Sequence, residues 1–293
     1  MTTFYDGNGN TIKISGESSG TSSNFDVTGY SPFDDNEGSA RQATLTYQGK
    51  RLYPIVTTNQ ITDKIKKYNG GVMFTLGDSY TAYMHNHFDT FAIKHGLIQD
   101  PRGLASSTIA GSADGTTVGY HAFWVRLDEA IAQYKAEGGY ALNETSYTCD
   151  DVKLITFMGG ANDWTTIDPD KGINRIGSGI NETNKETLYG ALNYIFSTLL
   201  STFKNADIVV ILQPSNPNKG VQQMYLKENI VREMAELYSL PIVDCCFDWH
   251  QHTNTLDQAK YWQTDKLHLT TAGHDDVIAE LEKVVDNLKY SRS

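Results

Sequence analysis

From Gly71 onward, short apolar runs alternate with long amphipathic stretches, and this rhythm limits what the chain can fold into more than any other feature. The runs are Val72–Leu76, Val152–Met158, Ile208–Leu212 and Ile242–Cys245, with a weaker one, Ser107-Thr108-Ile109, just before Gly111. Between and after them lie helix-compatible stretches at Thr81–Lys94, Ala122–Glu137, Lys185–Phe203, Val221–Leu237 and Ala272–Leu288. In the last of these, Val277, Ile278, Leu281, Val284, Val285 and Leu288 recur at three- and four-residue steps, which makes one buried helical stripe. A strand that is apolar at nearly every position is covered on both faces, and parallel neighbours need helical crossovers to join them. The pattern therefore predicts an α/β fold with a central parallel sheet between helical layers over residues 71–293.

Residues 1–70 are built differently. Of the first 40 positions, 26 are Gly, Ser, Thr, Asn or Asp, which supply little apolar surface for a core. Phe4-Tyr5 and Thr11–Ile14 flank a turn-forming Asp6–Asn10, and Ala43–Thr58 holds β-prone runs on either side of Gln48-Gly49, so two small β elements are expected. Charge divides the chain in the same way. Residues 1–71 carry seven Lys/Arg against seven Asp/Glu, so the whole net charge of −11 falls on the remainder. An acidic body lacking a dense cationic run is a poor polyanion binder, and no nucleic-acid partner is expected. No run of 18 apolar residues is present and the first ten residues lack an export signal, so neither a membrane partner nor classical secretion is expected. Cys149, Cys245 and Cys246 are too few for a disulfide framework and lack zinc-ligand spacing; they read as free thiols.

Three short motifs fall where such a sheet concentrates chemistry. Leu76-Gly77-Asp78-Ser79 ends the first strand just before a helix, which puts a serine hydroxyl above the carboxyl edge of the sheet. Gly159-Gly160-Ala161-Asn162-Asp163 ends another strand and leaves an amide donor at that edge. Asp265-Lys266-Leu267-His268 precedes the last helix, and a carboxylate three residues before a histidine can turn back on the imidazole and orient it as a base. Each motif alone is common as a cap, a turn or a surface ion pair. Their joint occurrence in this order carries the signal.

On these blocks, residues from about 72 to 288 resemble the SGNH/GDSL hydrolase family: Gly-Asp-Ser at 77–79, a lone glycine in the second block, Gly-x-Asn-Asp at 160–163 and Asp-x-x-His at 265–268. The resemblance implies a flavodoxin-like three-layer α/β sandwich with strand order 2-1-3-4-5. It also implies Ser79 as nucleophile, His268 as general base and acid, and Asp265 as the orienting carboxylate. The oxyanion hole would comprise the backbone N–H of Ser79, that of Gly111 and the Asn162 side chain, with Gly103 and Gly115 as competing second-block glycines. No metal and no organic cofactor is needed for this chemistry. Tyr80 stands where the family has leucine, a departure that bears on packing or substrate fit.

Other motifs are weaker. Gly16-Glu17-Ser18-Ser19-Gly20 matches a hydrolase string but lacks the strand and helix that motif requires. His85-Asn86-His87 and His250-Gln251-His252 place imidazoles two apart, so on a helix they face different sides. His274 competes with His268 as base but has no aspartate three residues before it. Trp164, Tyr261 and Trp262 sit beside the motifs and are expected to rim the site with flat rings suited to sugars.

Asn10–Gly16 and Tyr47–Thr57 resemble phrases of bacteriophage tail-appendage proteins. This implies that residues 1–70 serve attachment, as a homo-oligomer or within a virion, with the cytoplasm or non-classical release as other destinations. The expected function is ester hydrolysis, most specifically of O-acetyl groups on a polysaccharide. A lipase or thioesterase of the same fold, or a non-catalytic glycan-binding or structural tail protein, are the alternatives.

Overall fold

The computed structural model describes residues 67–288 apart from 69, 114–120, 164–166, 169–172, 216, 218–220 and 247–257, together with five short strands nearer the N-terminus. The chain divides into two compact units, Met1–Ile65 and Lys66–Ser293. In the first, β1 (Thr3–Tyr5), β2 (Thr11–Lys13), β3 (Phe25–Thr28), β4 (Thr44–Tyr47) and β5 (Lys50–Pro54) form a sheet of order β2-β1-β5-β4-β3. Its pairings are antiparallel, and Tyr47 pairs with Lys50 across Gln48-Gly49.

The second unit is an α/β sandwich. Its parallel sheet comprises β6 (Val72–Gly77), β7 (Ile98–Gly103), β10 (Val152–Met158), β13 (Asp207–Leu212) and β14 (Ile242–Asp244). The order β7-β6-β10-β13-β14 is the expected 2-1-3-4-5 arrangement. Two small antiparallel pairs decorate it, β8 (Tyr140–Leu142) with β9 (Thr145–Tyr147) and β11 (Ile167–Asp168) with β12 (Ile173–Asn174). The helices are α1 (Ser79–Tyr83), α2 (His85–Lys94), α3 (Phe123–Lys135), α4 (Leu188–Thr202), α5 (Val221–Leu237), α6 (Gln258–Tyr261) and α7 (Thr271–Asn287).

Alternation along the strands builds two cores. Val72, Phe74 and Leu76 of β6, with Ile155 and Phe157 of β10, pack against α3, α4 and α5. Met73, Leu154, Val209 and Ile211 point the other way, against Tyr80, Phe88 and Phe91 and against Val277, Leu281 and Val285 of α7. With both faces covered, the strands have no polar face, which is why they read as unbroken apolar runs.

Two expectations are corrected. The second strand is Ile98–Gly103, not the run before Gly111. It carries polar residues, and the buried Asp100 among them accepts from Arg102 Nε at 2.8 Å and from the Tyr134 hydroxyl at 2.8 Å. It is an edge strand, paired only with β6, where Pro101 is tolerated. The expected helix over 81–94 is broken at Met84, which caps α1 and starts α2.

Candidate active site

The end of β6 feeds directly into α1, and Gly77 makes that turn possible. A Cβ there would collide with the Thr81 side chain and the Met158 carbonyl. Asp78 caps α1 and ties three segments together. Its carboxylate accepts from Tyr80 N at 3.0 Å, Ala161 N at 3.2 Å and Gln213 Nε2 at 2.8 Å. Ser79 follows, recessed with 6% of its surface exposed.

His268 comes from the turn before α7. Its Nε2 lies 3.1 Å from Ser79 Oγ and its Nδ1 lies 2.7 Å from Asp265 Oδ2. Asp265 Oδ1 also accepts from Leu267 N at 2.9 Å and His268 N at 3.0 Å, closing a tight turn with Lys266 at φ +54°. Slight burial pushes the Asp265 carboxyl upward, but the hydrogen bonds from His268 and Leu267 outweigh it and hold the group down at about 2. The carboxylate is therefore an acceptor at any ordinary pH, which sets His268 Nδ1 as the protonated nitrogen and leaves Nε2 to face the serine. This arrangement can take a proton from Ser79 Oγ.

Tyr80, the departure from the family leucine, is buried and its hydroxyl donates to the Leu267 carbonyl at 2.6 Å. It fastens the helix that carries Ser79 to the turn that carries the imidazole. The Tyr83 ring also meets His268, in a T-shaped contact with centroids 4.6 Å apart. His274 is not in this chain of contacts. Its ring packs on His87, and burial, helped by the neighbouring His87, lowers it to about 4.

The Asn162 amide donates to the Ser107 carbonyl at 2.9 Å, which orients the side chain and leaves its second hydrogen for another acceptor. The segment beside it is laced to the strand end: Leu104 N donates to the Gly77 carbonyl at 3.0 Å and Ser107 Oγ to the Leu104 carbonyl at 2.6 Å. Gly111 does not offer the expected donor, because its N–H is given to the Lys185 carbonyl at 3.2 Å. The residue of the second block next to Asn162's partner is Ser106, whose φ of +65° is one that glycine usually occupies. Sequence reasoning passed over it because no glycine marks the position.

Beneath these loops lies a buried charged cluster in which Asp78 and Asp163 belong to the sequence motifs, whereas Lys227 and Glu228 carried no sequence signal. Asp163 accepts from Ile109 N at 2.9 Å and Ala110 N at 3.1 Å. Lys227 donates to the carbonyl of Gly160, a residue held at φ +122°. Glu228 accepts from Gln213 N at 3.1 Å. Burial pushes Asp163 up to about 6 against the opposing Lys227 charge, and it also raises Asp78 and Glu228 and lowers Lys227.

The expected aromatic rim is absent at two of its three positions. Tyr261 and Trp262 are 6% and 3% exposed and belong to the core on the α7 side of the sheet. They brace the His268 turn from within: Thr270 N donates to the Tyr261 carbonyl at 2.9 Å, and Trp262 bridges Leu269. Trp164, Gly16–Gly20 and His250–His252 lie outside the described residues. Among the described residues no helix is long and apolar enough to cross a membrane.

No curated protein sequence matches the chain. Among solved structures, a protein from Lactobacillus plantarum is 20% identical at a TM-score of 0.55, covering 75% of this chain and 98% of that one. A lipase/acylhydrolase from Enterococcus faecalis is 13% identical at 0.47, with coverage of 76% and 99%. An acetylxylan esterase from Geobacillus stearothermophilus is 16% identical at 0.48, with coverage of 75% and 96%. At such identities the first likeness is one of fold, and the other two carry no argument. The profile of the GDSL-like lipase/acylhydrolase family matches residues 75–275, well over half of the chain and spanning the strand end at Gly77, Asn162 and the Asp265–His268 turn. The chain belongs to the GDSL-like lipase/acylhydrolase family and is an ester hydrolase.

Proposed function

We propose that the chain is a serine esterase that removes O-acetyl groups from a polysaccharide. Ser79 Oγ attacks the ester carbonyl as His268 Nε2 takes its proton, and Asp265 keeps the imidazole oriented and stabilises it once charged. The new oxyanion is held by the Ser79 N–H and the second Asn162 amide hydrogen, with the Ser106 N–H in the place expected of Gly111. Collapse expels the alcohol with the proton from His268, and water, activated by the same imidazole, releases the acid. The observation that carries this reading is the hydrogen-bonded chain from Asp265 through His268 to Ser79 at the carboxyl edge of the sheet.

The small acyl group and hydroxylated alcohol rest on what borders that chain. Among the described residues, Ser106 and Lys266 are exposed, Asn162 is half-buried, and Tyr83 and Leu104 are the exposed large apolar side chains near that chain, which favours a small acyl group over a fatty one. Acetate release from a panel of acetylated polysaccharides tests the substrate. On p-nitrophenyl esters the rate should fall steeply from acetate to octanoate; a rate that holds or rises at octanoate replaces this reading with a lipase.

Residues 1–70 we assign to attachment, either between copies of the chain or to a larger particle such as a phage tail. Sheets of strands as short as three to five residues have little core of their own and gain stability by pairing with another surface. Light scattering on the full chain and on a chain beginning at Lys66 tests this, since only the full chain should associate. If both are monomers, the assignment fails.

A further inference from the structure

Helix α1 presents two tyrosines to His268, and only one is hidden. Tyr80 is 2% exposed, whereas Tyr83 is 51% exposed and is the one aromatic ring among the exposed large apolar side chains of the described residues. Tyr83 lies four residues after Ser79, so both side chains leave the same face of the helix. Its ring plane meets that of His268 at 69°, with the centroids 4.6 Å apart.

In ester cleavage by Ser79 the two sides of the serine are not equivalent. As the carbon–oxygen bond to the alcohol breaks, the proton removed from Oγ passes from His268 Nε2 to the departing oxygen. The alcohol moiety must therefore lie beside His268, while the carbonyl oxygen lies on the side of Asn162. Tyr83 stands against His268, whereas Asn162 is bound to Ser107. We infer that Tyr83 is the platform of an alcohol-side subsite, where its exposed face stacks on a saturated ring such as the pyranose of an acetylated sugar. The ring supplies the flat apolar surface that the C–H face of a sugar covers, and the gap at the rim left by the buried Tyr261 and Trp262 falls to it. The inference rests on the serine-esterase reading above and specifies which half of the substrate Tyr83 contacts.

The test compares kcat/KM for three acetates, which share one acetyl-enzyme and differ only in alcohol: ethyl acetate, cyclohexyl acetate and an acetylated methyl xyloside. kcat/KM reports the steps up to loss of the alcohol, the only steps in which the subsite is filled. Tyr83→Leu should lose about tenfold more on the two ring alcohols than on ethyl acetate, and Tyr83→Phe should restore most of that difference. Equal losses on all three would make Tyr83 a mere support for His268 and overturn the inference, as would no loss. Wild-type protein that ignores the xyloside but shows Tyr83-dependent preference for cyclohexyl acetate would retain the subsite and remove the carbohydrate reading. Wild-type protein inactive on all three acetates would remove both.

Discussion

The imidazole of His268 and the hydroxyl of Ser79, 189 positions apart in the chain, lie 3.1 Å from one another. Nothing local creates that contact; the parallel sheet delivers one residue from the end of its first strand and α7 delivers the other. Ser79→Ala should lower turnover of p-nitrophenyl acetate by at least about 10⁴-fold. The folding free energy should stay within about 0.5 kcal/mol of wild type, because the hydroxyl fills little space. A variant that keeps a tenth of the turnover would remove Ser79 from the nucleophile role.

The acid limb of activity should follow one ionisation. Only neutral imidazole can accept the Ser79 proton, and Asp265, held at about 2 despite slight burial by the hydrogen bonds of His268 and Leu267, stays charged throughout. His274, lowered to about 4 by burial, adds no second step above that pH. A plot of log kcat/KM against pH should therefore rise with unit slope, and His274→Ala should leave that slope unchanged. A slope of two in wild type, or an inactive His274→Ala beside an active His268→Ala, would contradict the assignment.

Tyr80→Phe deletes one hydroxyl and its 2.6 Å bond to Leu267 while keeping the ring in the core. The expected cost is about 1 kcal/mol of stability. Because the lost bond positions the turn that carries His268, kcat should fall by roughly tenfold with KM nearly constant. Labelling by a fluorophosphonate should slow by the same factor, and unchanged labelling alongside a lower melting temperature would reduce Tyr80 to packing.

Ser106 holds φ at +65°, a conformation costly to residues with a Cβ. Ser106→Gly should stabilise the protein by roughly 1 kcal/mol in urea titration, without loss of kcat, since the backbone N–H remains. Ser106→Val should move stability the other way.

The buried carboxyls of Glu228 and Asp163 are both raised by burial, Asp163 to about 6, so the fold favours their protonated forms. Their contribution to stability is complete below the ordinary carboxylate range and is lost as pH climbs, through about 6 for Asp163. Glu228→Gln stays neutral at every pH. Its melting temperature relative to wild type should therefore rise between about pH 5 and about pH 9, and a constant difference would show that Glu228 does not titrate in the folded protein.

Much of the fold was legible because a strand covered on both faces must be apolar at almost every position. Val152–Met158 reads as a strand on that ground alone, and its neighbours differ from their expected limits by a residue at one end. Ile98–Gly103 was hidden because an edge strand is free of that requirement, and its buried Asp100 has, besides the local Arg102, a partner in Tyr134 that only the packing of α3 supplies. The motifs around Ser79, Asn162 and His268 were legible as local strings, since capping, tight turns and an Asp-x-x-His pair are all made within a few residues.

What the tertiary structure decided is where each string faces. Among three candidate glycines the sequence favours Gly111 for its place after the short β-prone run Ser107–Ile109, yet the direction of its N–H depends on Lys185, 74 positions away. Tyr261 and Trp262 look like rim residues by proximity in sequence but are drawn into the core by α7. Tyr83, with no motif to mark it, reaches the imidazole because α1 and the His268 turn converge. Composition and short-range geometry set which elements form and which chemical groups they carry. The direction of a single N–H or ring depends on long-range packing, where partners far apart in sequence compete for the same donor or the same apolar space.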